Sequence, residues 1–393
     1  MKIFVKTLGC RANRYESEKL IDKLCSMGHL FVSDPRKADT VIVNTCTVTH
    51  TADRKSRQEF YPFLKGDKKV IVFGCGPRVA REHFEKIDGI DFIAKEPAEI
   101  IKYLGTTDVK PESHDLFVTR SNLKIQDGCE NFCTYCIVPF ARGKCKSKPY
   151  KDILREAADL TDKGAKEIVL TGINIGEWKD GELCFWDLAK ELLDRFDFRI
   201  RISSLEPFLF NEKVADVLKH KNFCQHLHVC AQSGCDGVLV RMGRHYKAAD
   251  FKKLIAKTRN VAPDIAITTD IITGFPGETE LEHQESLRFI SDVEFAKVHT
   301  FKYSKREGTP AAKAKGQVPY PIKATRASQI RKLSADLRKK YLEKFIGSDM
   351  EVLFERQKNG VFTGTTRNYI KVRLKSSEDL TNRLKIVKVQ VAS

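Results

Sequence analysis

A chain of 393 residues, 41% hydrophobic and 31% charged, has room for two or three domains and excludes both a disordered polypeptide and a run of membrane-spanning length. Its net charge of +17 concentrates polyanions nearby, so nucleic acid is the expected partner, a membrane surface or mere solubility being the blander readings of the charge. Twelve cysteines behind a short N-terminal run that holds Lys6, too brief for a secretion signal, predict reduced thiols in a cytoplasmic protein rather than a disulfide framework.

Three short β-branched runs open the chain: KIFVKTLGC (2–10), TVIVNTC (40–46) and KVIVFGC (69–75). Between the first two, RYESEKLIDKLCSMG places Leu20, Leu24 and Met27 at helical spacing and closes on Gly28. This βαβ pattern predicts a doubly wound parallel sheet over residues 1–110. A polar connection around 105–113 leads to residues 115–345. There EIVLTG (167–172), FRIRISS (198–204), HLHVCAQSG (226–234), IAITTDIITG (265–274) and AKVHTFKYS (296–304) alternate with helical patterns such as 152–164. Repeated βα units of this size predict a partial (β/α) barrel. A basic helix follows over 323–345; between Lys313 and Lys344 ten Lys/Arg face two acids. From 346 to 393, MEVLFE, GVFTGTT, YIKVRL and LKIVKVQV predict a small all-β barrel. The predicted fold class is thus α/β with a terminal all-β module.

The cysteines carry the chemistry. GCENFCTYC places Cys129, Cys133 and Cys136 on one tight loop, where they face a common centre as ligands of a cubane iron–sulfur cluster do. Three ligands leave one iron open. The C-x3-C-x2-C spacing is that of radical S-adenosylmethionine (SAM) enzymes; a structural zinc site would need a fourth ligand, for which Cys145 is the nearest thiol. Cys10, Cys46 and Cys75 each follow a strand run, at separations of 36 and 29 residues, so they emerge on the same carboxyl edge of the sheet, where such folds bind ligands. They read either as a second three-cysteine cluster site or as three buried thiols at strand ends. Cys25 falls on the apolar face of its helix, and Cys184 has no partner spacing. Cys224, Cys230 and Cys235, with His226 and His228 among them, read as barrel packing rather than a further metal site, and alternation points the two histidines one way.

In three blocks the sequence resembles the radical SAM methylthiotransferases, most closely the branch acting on N6-threonylcarbamoyladenosine in tRNA. The first block holds TLGCRANRYESE, VIVNTCTVTHTADRKSRQ and FGCGPR. The second holds GCENFCTYCIVPFARG, TGINIG, SSLEP, HLHVCAQSGCDGVLVRMGRHY, TDIITGFPGETE and KYSKREGTPAA. The third, FTGTTRNYIKVRL, looks like a TRAM domain, a small RNA-binding barrel. The resemblance implies an auxiliary 4Fe–4S cluster on Cys10, Cys46 and Cys75 and a SAM-cleaving 4Fe–4S cluster on Cys129, Cys133 and Cys136. One SAM donates a methyl group and a second supplies the radical that takes hydrogen from C2 of adenine at position 37. It also implies that Tyr135, Gly172, Asn174, Ser204 and Gln232 line the SAM pocket. The implied partners are the tRNA anticodon arm, a low-potential electron donor and a sulfur donor, and the expected state is a monomer.

The chain departs from that pattern after the cluster loop. Where members commonly run RGRERSRP, it has Arg142-Gly143-Lys144-Cys145-Lys146-Ser147-Lys148-Pro149, with Cys145 for the acid and Lys for two Arg; Lys does not reproduce the bidentate Arg fork. In the terminal module Arg367, Tyr369, Lys371 and Arg373 are the alternating candidates for RNA contact, ordinary strand surface being the other reading. Other functions that fit are methylthiolation of isopentenyladenosine or of a ribosomal protein, and a non-catalytic RNA-binding metalloprotein.

Overall fold

In the computed structural model, which describes residues 1–107 and 119–390, the three opening runs form strands β1 (Lys2–Thr7), β3 (Thr40–Thr45) and β4 (Lys69–Gly74). Two-residue strands β2 (Leu30–Phe31) and β5 (Phe92–Ile93) flank them in the order β2-β1-β3-β4-β5, every pair parallel. Helices α1 (Arg11–Ser26), α2 (His50–Phe60), α3 (Cys75–Glu85) and α4 (Pro97–Leu104) complete the crossovers. Alternation explains why both faces are covered. Ile42, Ile71 and Phe73 pack with Leu20 and Leu24 of α1, while Val41, Val43, Val70 and Val72 pack with Phe60 and Phe84 of α2 and α3. The predicted connection at 105–113 lies mostly outside the described residues.

Six parallel strands follow: β6 (Arg120–Lys124), β7 (Glu167–Thr171), β8 (Arg199–Ile202), β9 (His226–His228), β10 (Ala266–Thr273) and β11 (Lys297–Lys302). They pair as β8-β7-β6 and β9-β10-β11, and the bridges Ile200↔Phe223 and Leu205↔Val229 join the two groups. The result is the expected open (β/α) barrel. Its apolar side buries Ile168, Leu170, Ile200, Leu227, Val229 and Ile267 with Leu188, Leu192 and Phe289 of the helices.

The long helix runs Tyr320–Glu343, and the terminal strands are β12 (Asp349–Lys358), β13 (Val361–Thr366), β14 (Lys371–Lys375) and β15 (Leu384–Lys388). They form an antiparallel sheet in the order β14-β13-β12-β15 around Val352, Phe354, Phe362 and Val372. Its end strands do not pair among the described residues, so the expected small barrel is a half-barrel.

The half-barrel is fastened to the amino ends of the barrel strands by a buried ion cluster. Glu167, fully buried, receives Arg199 Nη2 at 2.7 Å and Arg201 Nε at 2.7 Å. The same guanidinium groups donate to the carbonyls of Thr365, Thr366 and Arg367 at 3.1–3.3 Å, and Arg120 pairs with Glu355 at 2.7 Å. Burial pushes the Glu167 carboxyl up, but Arg201 and Arg199 outweigh it and hold the group well below the usual carboxylate range.

This contact corrects the sequence reading of the module. Arg367 donates to the carbonyl of Phe223 at 2.9 Å, and Tyr369 stacks on His226 with ring centroids 4.2 Å apart. Lys371 donates to Thr365 Oγ1 at 2.6 Å. Of the four alternating candidates, Arg367 and Tyr369 are half-buried in intramolecular contacts, while Lys371 and Arg373 remain on exposed strand surface.

By contacts the chain divides into two compact units that cut across sequence order. One combines the N-terminal sheet with Asp127–Cys145 and Ser304–Ala312; the other holds the barrel strands, the long helix and the half-barrel.

Candidate active site

All six cysteines of the two trios belong to the first unit. Cys10 stands immediately before α1 in extended conformation, Cys46 follows β3, and Cys75 opens α3 after Gly74. The parallel sheet therefore delivers them to one edge, as the strand spacing predicts. Gly9, at φ +98°, makes room for Cys46, since a Cβ there would lie 2.8 Å from the Cys46 Cβ and 3.0 Å from its Sγ. Cys46 is pinned by Ser56, whose Oγ accepts from its N–H at 3.0 Å.

Asn13, fully buried, organises this edge. Its amide nitrogen lies 2.9 Å from the carbonyls of Leu8 and Thr45 and 3.1 Å from Asn44 Oδ1. That orientation turns Asn13 Oδ1 toward the thiols, and it accepts from Cys10 Sγ at 3.6 Å and Cys75 Sγ at 3.8 Å. Burial pushes the Cys46 thiol up to about 11, with Cys75 and Cys10 adding to the rise. Burial likewise raises Cys75, opposed by Arg142. Protein alone thus keeps these thiols protonated, and a cationic metal core is what favours their thiolate forms. Two soft donors on one acceptor, with the Cys46 thiol leaving the same sheet edge, make a donor set that fits an iron–sulfur group.

The other trio sits on the loop entering the short helix Val138–Arg142. Gly128, at φ +75°, lies under the returning chain: a Cβ there would meet the Lys144 carbonyl at 1.9 Å. The Cys129 N–H donates to Gly143 O at 3.1 Å, and the Cys136 N–H to Cys133 O at 2.9 Å. Cys133 is buried and Cys129 and Cys136 are half-buried, so the loop presents its thiols from a backbone closed by its own hydrogen bonds. Phe132, at φ +43°, is more than half exposed.

Segments quoted from distant parts of the sequence meet here. Arg306, of KYSKREGTPAA, donates to Thr47 Oγ1 and pairs with Asp53 of THTADR, both at 2.6 Å. The Ala311 N–H donates to the Thr134 carbonyl at 2.9 Å, between Cys133 and Cys136. The Cys145 N–H donates to Glu130 Oε2 at 3.2 Å.

Gly172, Asn174, Ser204 and Gln232 gather at the carboxyl edge of the barrel, following β7, β8 and β9. A Cβ on Gly172 would lie 2.6 Å from the Gln126 carbonyl. The Asn174 N–H donates to Gln126 Oε1 at 2.8 Å, and its own buried Oδ1 has no hydrogen-bond partner among the described residues. Gln232 is held at φ +60° by its N–H to Asp270 O at 2.8 Å. Tyr135 is half-buried in the other unit.

Sequence reading missed the polar row inside the barrel. His226 Nε2 and His228 Nδ1 both reach Thr268 Oγ1, at 3.0 and 2.9 Å, and His228 Nε2 lies 3.3 Å from Asp270. Alternation gives the common direction of the histidines, but their partners come from β10. Cys230 lies within 4.8 Å of the His228 and Asp270 donors, whereas Cys224 donates to Glu167 at 3.4 Å and Cys235 caps the helix Asp236–Arg241. The three thiols of that group are not pooled.

Comparisons with known proteins agree with this geometry. Residues 123–290 match the Radical SAM superfamily, and residues 2–94 match Uncharacterized protein family UPF0004. The fold resembles the radical SAM methyltransferase TsrM of Kitasatospora setae, at TM-score 0.60 and 14% identity, over 79% of this chain and 77% of that one. The threonylcarbamoyladenosine tRNA methylthiotransferase MtaB of Bacillus subtilis is 36% identical over 98% of this chain and 92% of its own length. The tRNA-2-methylthio-N(6)-dimethylallyladenosine synthase of Thermodesulfovibrio yellowstonii is 32% identical over 95% and 93%. Fold and site define a radical SAM enzyme. Within that class the chain belongs to the tRNA methylthiotransferases, transferases that use SAM and 4Fe–4S clusters.

Proposed function

We propose that the chain methylthiolates C2 of N6-threonylcarbamoyladenosine at position 37 of tRNA. Cys10, Cys46 and Cys75 hold the auxiliary cluster, and Cys129, Cys133 and Cys136 hold the SAM-cleaving cluster. The observation that carries the reading is the convergence of Cys10 and Cys75 on Asn13 Oδ1, with Cys46 beside them, in the same compact unit as the other trio. When bound, the clusters and SAM supply the sulfur, the methyl group and a radical able to attack an aromatic C–H bond, which no side-chain acid or base offers.

The chain's own residues bind and orient. Gly172 keeps the barrel edge open, the unpartnered Asn174 Oδ1 accepts from SAM, and Ser204 and Gln232 line the same edge; Tyr135, beside Cys136 on the cluster loop, is assigned to SAM on its own account. In this reading residues 1–110 are the methylthiotransferase domain, 115–345 the radical SAM domain and 346–393 a TRAM-like RNA-binding module. The protein works as a cytoplasmic monomer, served by a low-potential electron donor and a sulfur donor. The named activity of the B. subtilis relative favours threonylcarbamoyladenosine, and that of the T. yellowstonii relative makes the dimethylallyl nucleoside the second reading.

Nucleoside digests of tRNA from a deletion strain decide. The expected result is loss of 2-methylthio-N6-threonylcarbamoyladenosine with accumulation of its unthiolated precursor. Persistence of that nucleoside, with loss of the methylthio-dimethylallyl form instead, transfers the assignment to the second reading.

A further inference from the structure

Arg142 follows the loop of Cys129, Cys133 and Cys136, yet its side chain is only 1% exposed and lies against the other trio. Its Nη1 donates to Glu16 Oε1 and lies 3.3 Å from Asp127 Oδ2. Nη2 donates to Asn13 Oδ1 and reaches Glu16 Oε2 at 3.2 Å. That Asn13 oxygen is the one that accepts from the Cys10 and Cys75 thiols. The remaining guanidinium donor, Nε, is buried with no acceptor among the described residues. One fixed cation therefore stands a single atom away from two thiols, backed by the buried carboxylate of Glu16.

We propose that Arg142 is a positioning residue that sets the reduction potential of the iron–sulfur group on Cys10, Cys46 and Cys75, with Glu16 as its opposing charge. The inference rests on the cluster assignment above. A group held by three thiolates is anionic, and adding one electron makes it more so. A nearby buried cation favours the reduced form and a nearby buried carboxylate disfavours it, and low local polarity strengthens both effects. The same fork fastens the loop of the second trio to the edge that holds the first. A residue that merely fills space predicts no shift of either sign, whereas this arrangement predicts two opposite ones.

The test uses the full-length chain carrying Cys129→Ala, Cys133→Ala and Cys136→Ala, reconstituted without oxygen and titrated by redox-monitored electron paramagnetic resonance. That parent is expected to hold about four irons, as one four-iron cluster requires. Arg142→Gln removes the cation and strands Glu16, so the reduction equilibrium is expected to fall by at least tenfold, about 59 mV for one electron. Glu16→Gln is expected to move it the opposite way, and the double variant to return toward the parent. Should Arg142→Gln fail to hold iron, the Glu16→Gln shift decides alone. Potentials unchanged in the variants that load iron overturn the role of Arg142. Absence of iron in the parent overturns the cluster assignment itself, so the two failures are distinguishable.

Discussion

Replacing Asn13 with Leu tests the organisation of the auxiliary site without altering a cysteine. Leu keeps the branching and heavy-atom count of the Asn side chain but gives up both amide hydrogens, which serve the carbonyls of Leu8 and Thr45 and Asn44 Oδ1, all within 3.1 Å. A buried acceptor left without its donor costs roughly 1–3 kcal/mol. Two lost donors therefore amount to about 3 kcal/mol, which local exchange reads as roughly a hundredfold loss of protection, since every 1.4 kcal/mol is tenfold. Hydrogen exchange followed by mass spectrometry in peptides covering 8–17 and 40–46 measures that loss, because those segments carry the affected backbone. The Cys10 and Cys75 thiols lose their common acceptor in the same variant. Anaerobic reconstitution is expected to drop from about eight irons toward about four. Full iron loading with less than fivefold faster exchange would refute the role assigned to Asn13.

Gly128→Ala forces a Cβ to 1.9 Å from the Lys144 carbonyl at φ +75°, so it is expected to abolish iron loading on the Cys129/Cys133/Cys136 loop while the other trio still loads; iron analysis with the resonance spectrum checks this. Glu167→Gln leaves Arg199 and Arg201 buried without their carboxylate and is expected to cost about 3–5 kcal/mol at neutral pH, read by thermal and denaturant melting. Because the folded-state Glu167 titrates well below the usual carboxylate range, its stabilisation is fully present above about pH 4.3 and fades as the pH falls toward that lowered value. The gap between wild type and variant should accordingly narrow only in acid. Asn174→Leu removes the unpartnered buried Oδ1 and is expected to weaken SAM binding at least tenfold in equilibrium dialysis with iron content unchanged.

The elements legible from sequence are those whose burial is written in consecutive residues. TVIVNT and KVIVFG bury both faces of a parallel strand, so apolar run and strand coincide, and a cysteine after each run necessarily falls at the sheet's edge. Strand β6, RSNLK, carried no such signal. Its Arg120 side chain is polar because it faces Glu167 and Glu355, partners supplied by strands 47 and 235 positions later. The Arg142–Glu16 pair is hidden for the same reason, its members lying 126 residues apart. Local pattern shows which residues are buried together with their neighbours; it does not show which distant charge makes a polar residue tolerable inside.

The terminal module shows what that limit does to functional inference. Arg367, Tyr369 and Lys371 alternate along the sequence as a basic, aromatic nucleic-acid surface does, and charge alone cannot separate such a row from an internal joint. The structure uses the first two as a joint: Arg367 closes on the Phe223 carbonyl, and Tyr369 stacks on the His226 ring with the Arg201 guanidinium 5.2 Å from its ring centre. The contacts anchor the half-barrel at the amino ends of β7 and β8, where Glu167 and Arg199 begin their strands. Gly172, Asn174 and Ser204 lie at the opposite, carboxyl ends. Strands of four or five residues, rising about 3.3 Å each, put roughly 15 Å of barrel between them. Under the proposed function, a base reacting at the carboxyl edge lies that far from the contacts that anchor the half-barrel. In that reading the module serves nucleic acid away from the modified base, and Gly172, Asn174 and Ser204 at the carboxyl ends are the barrel residues left to face it.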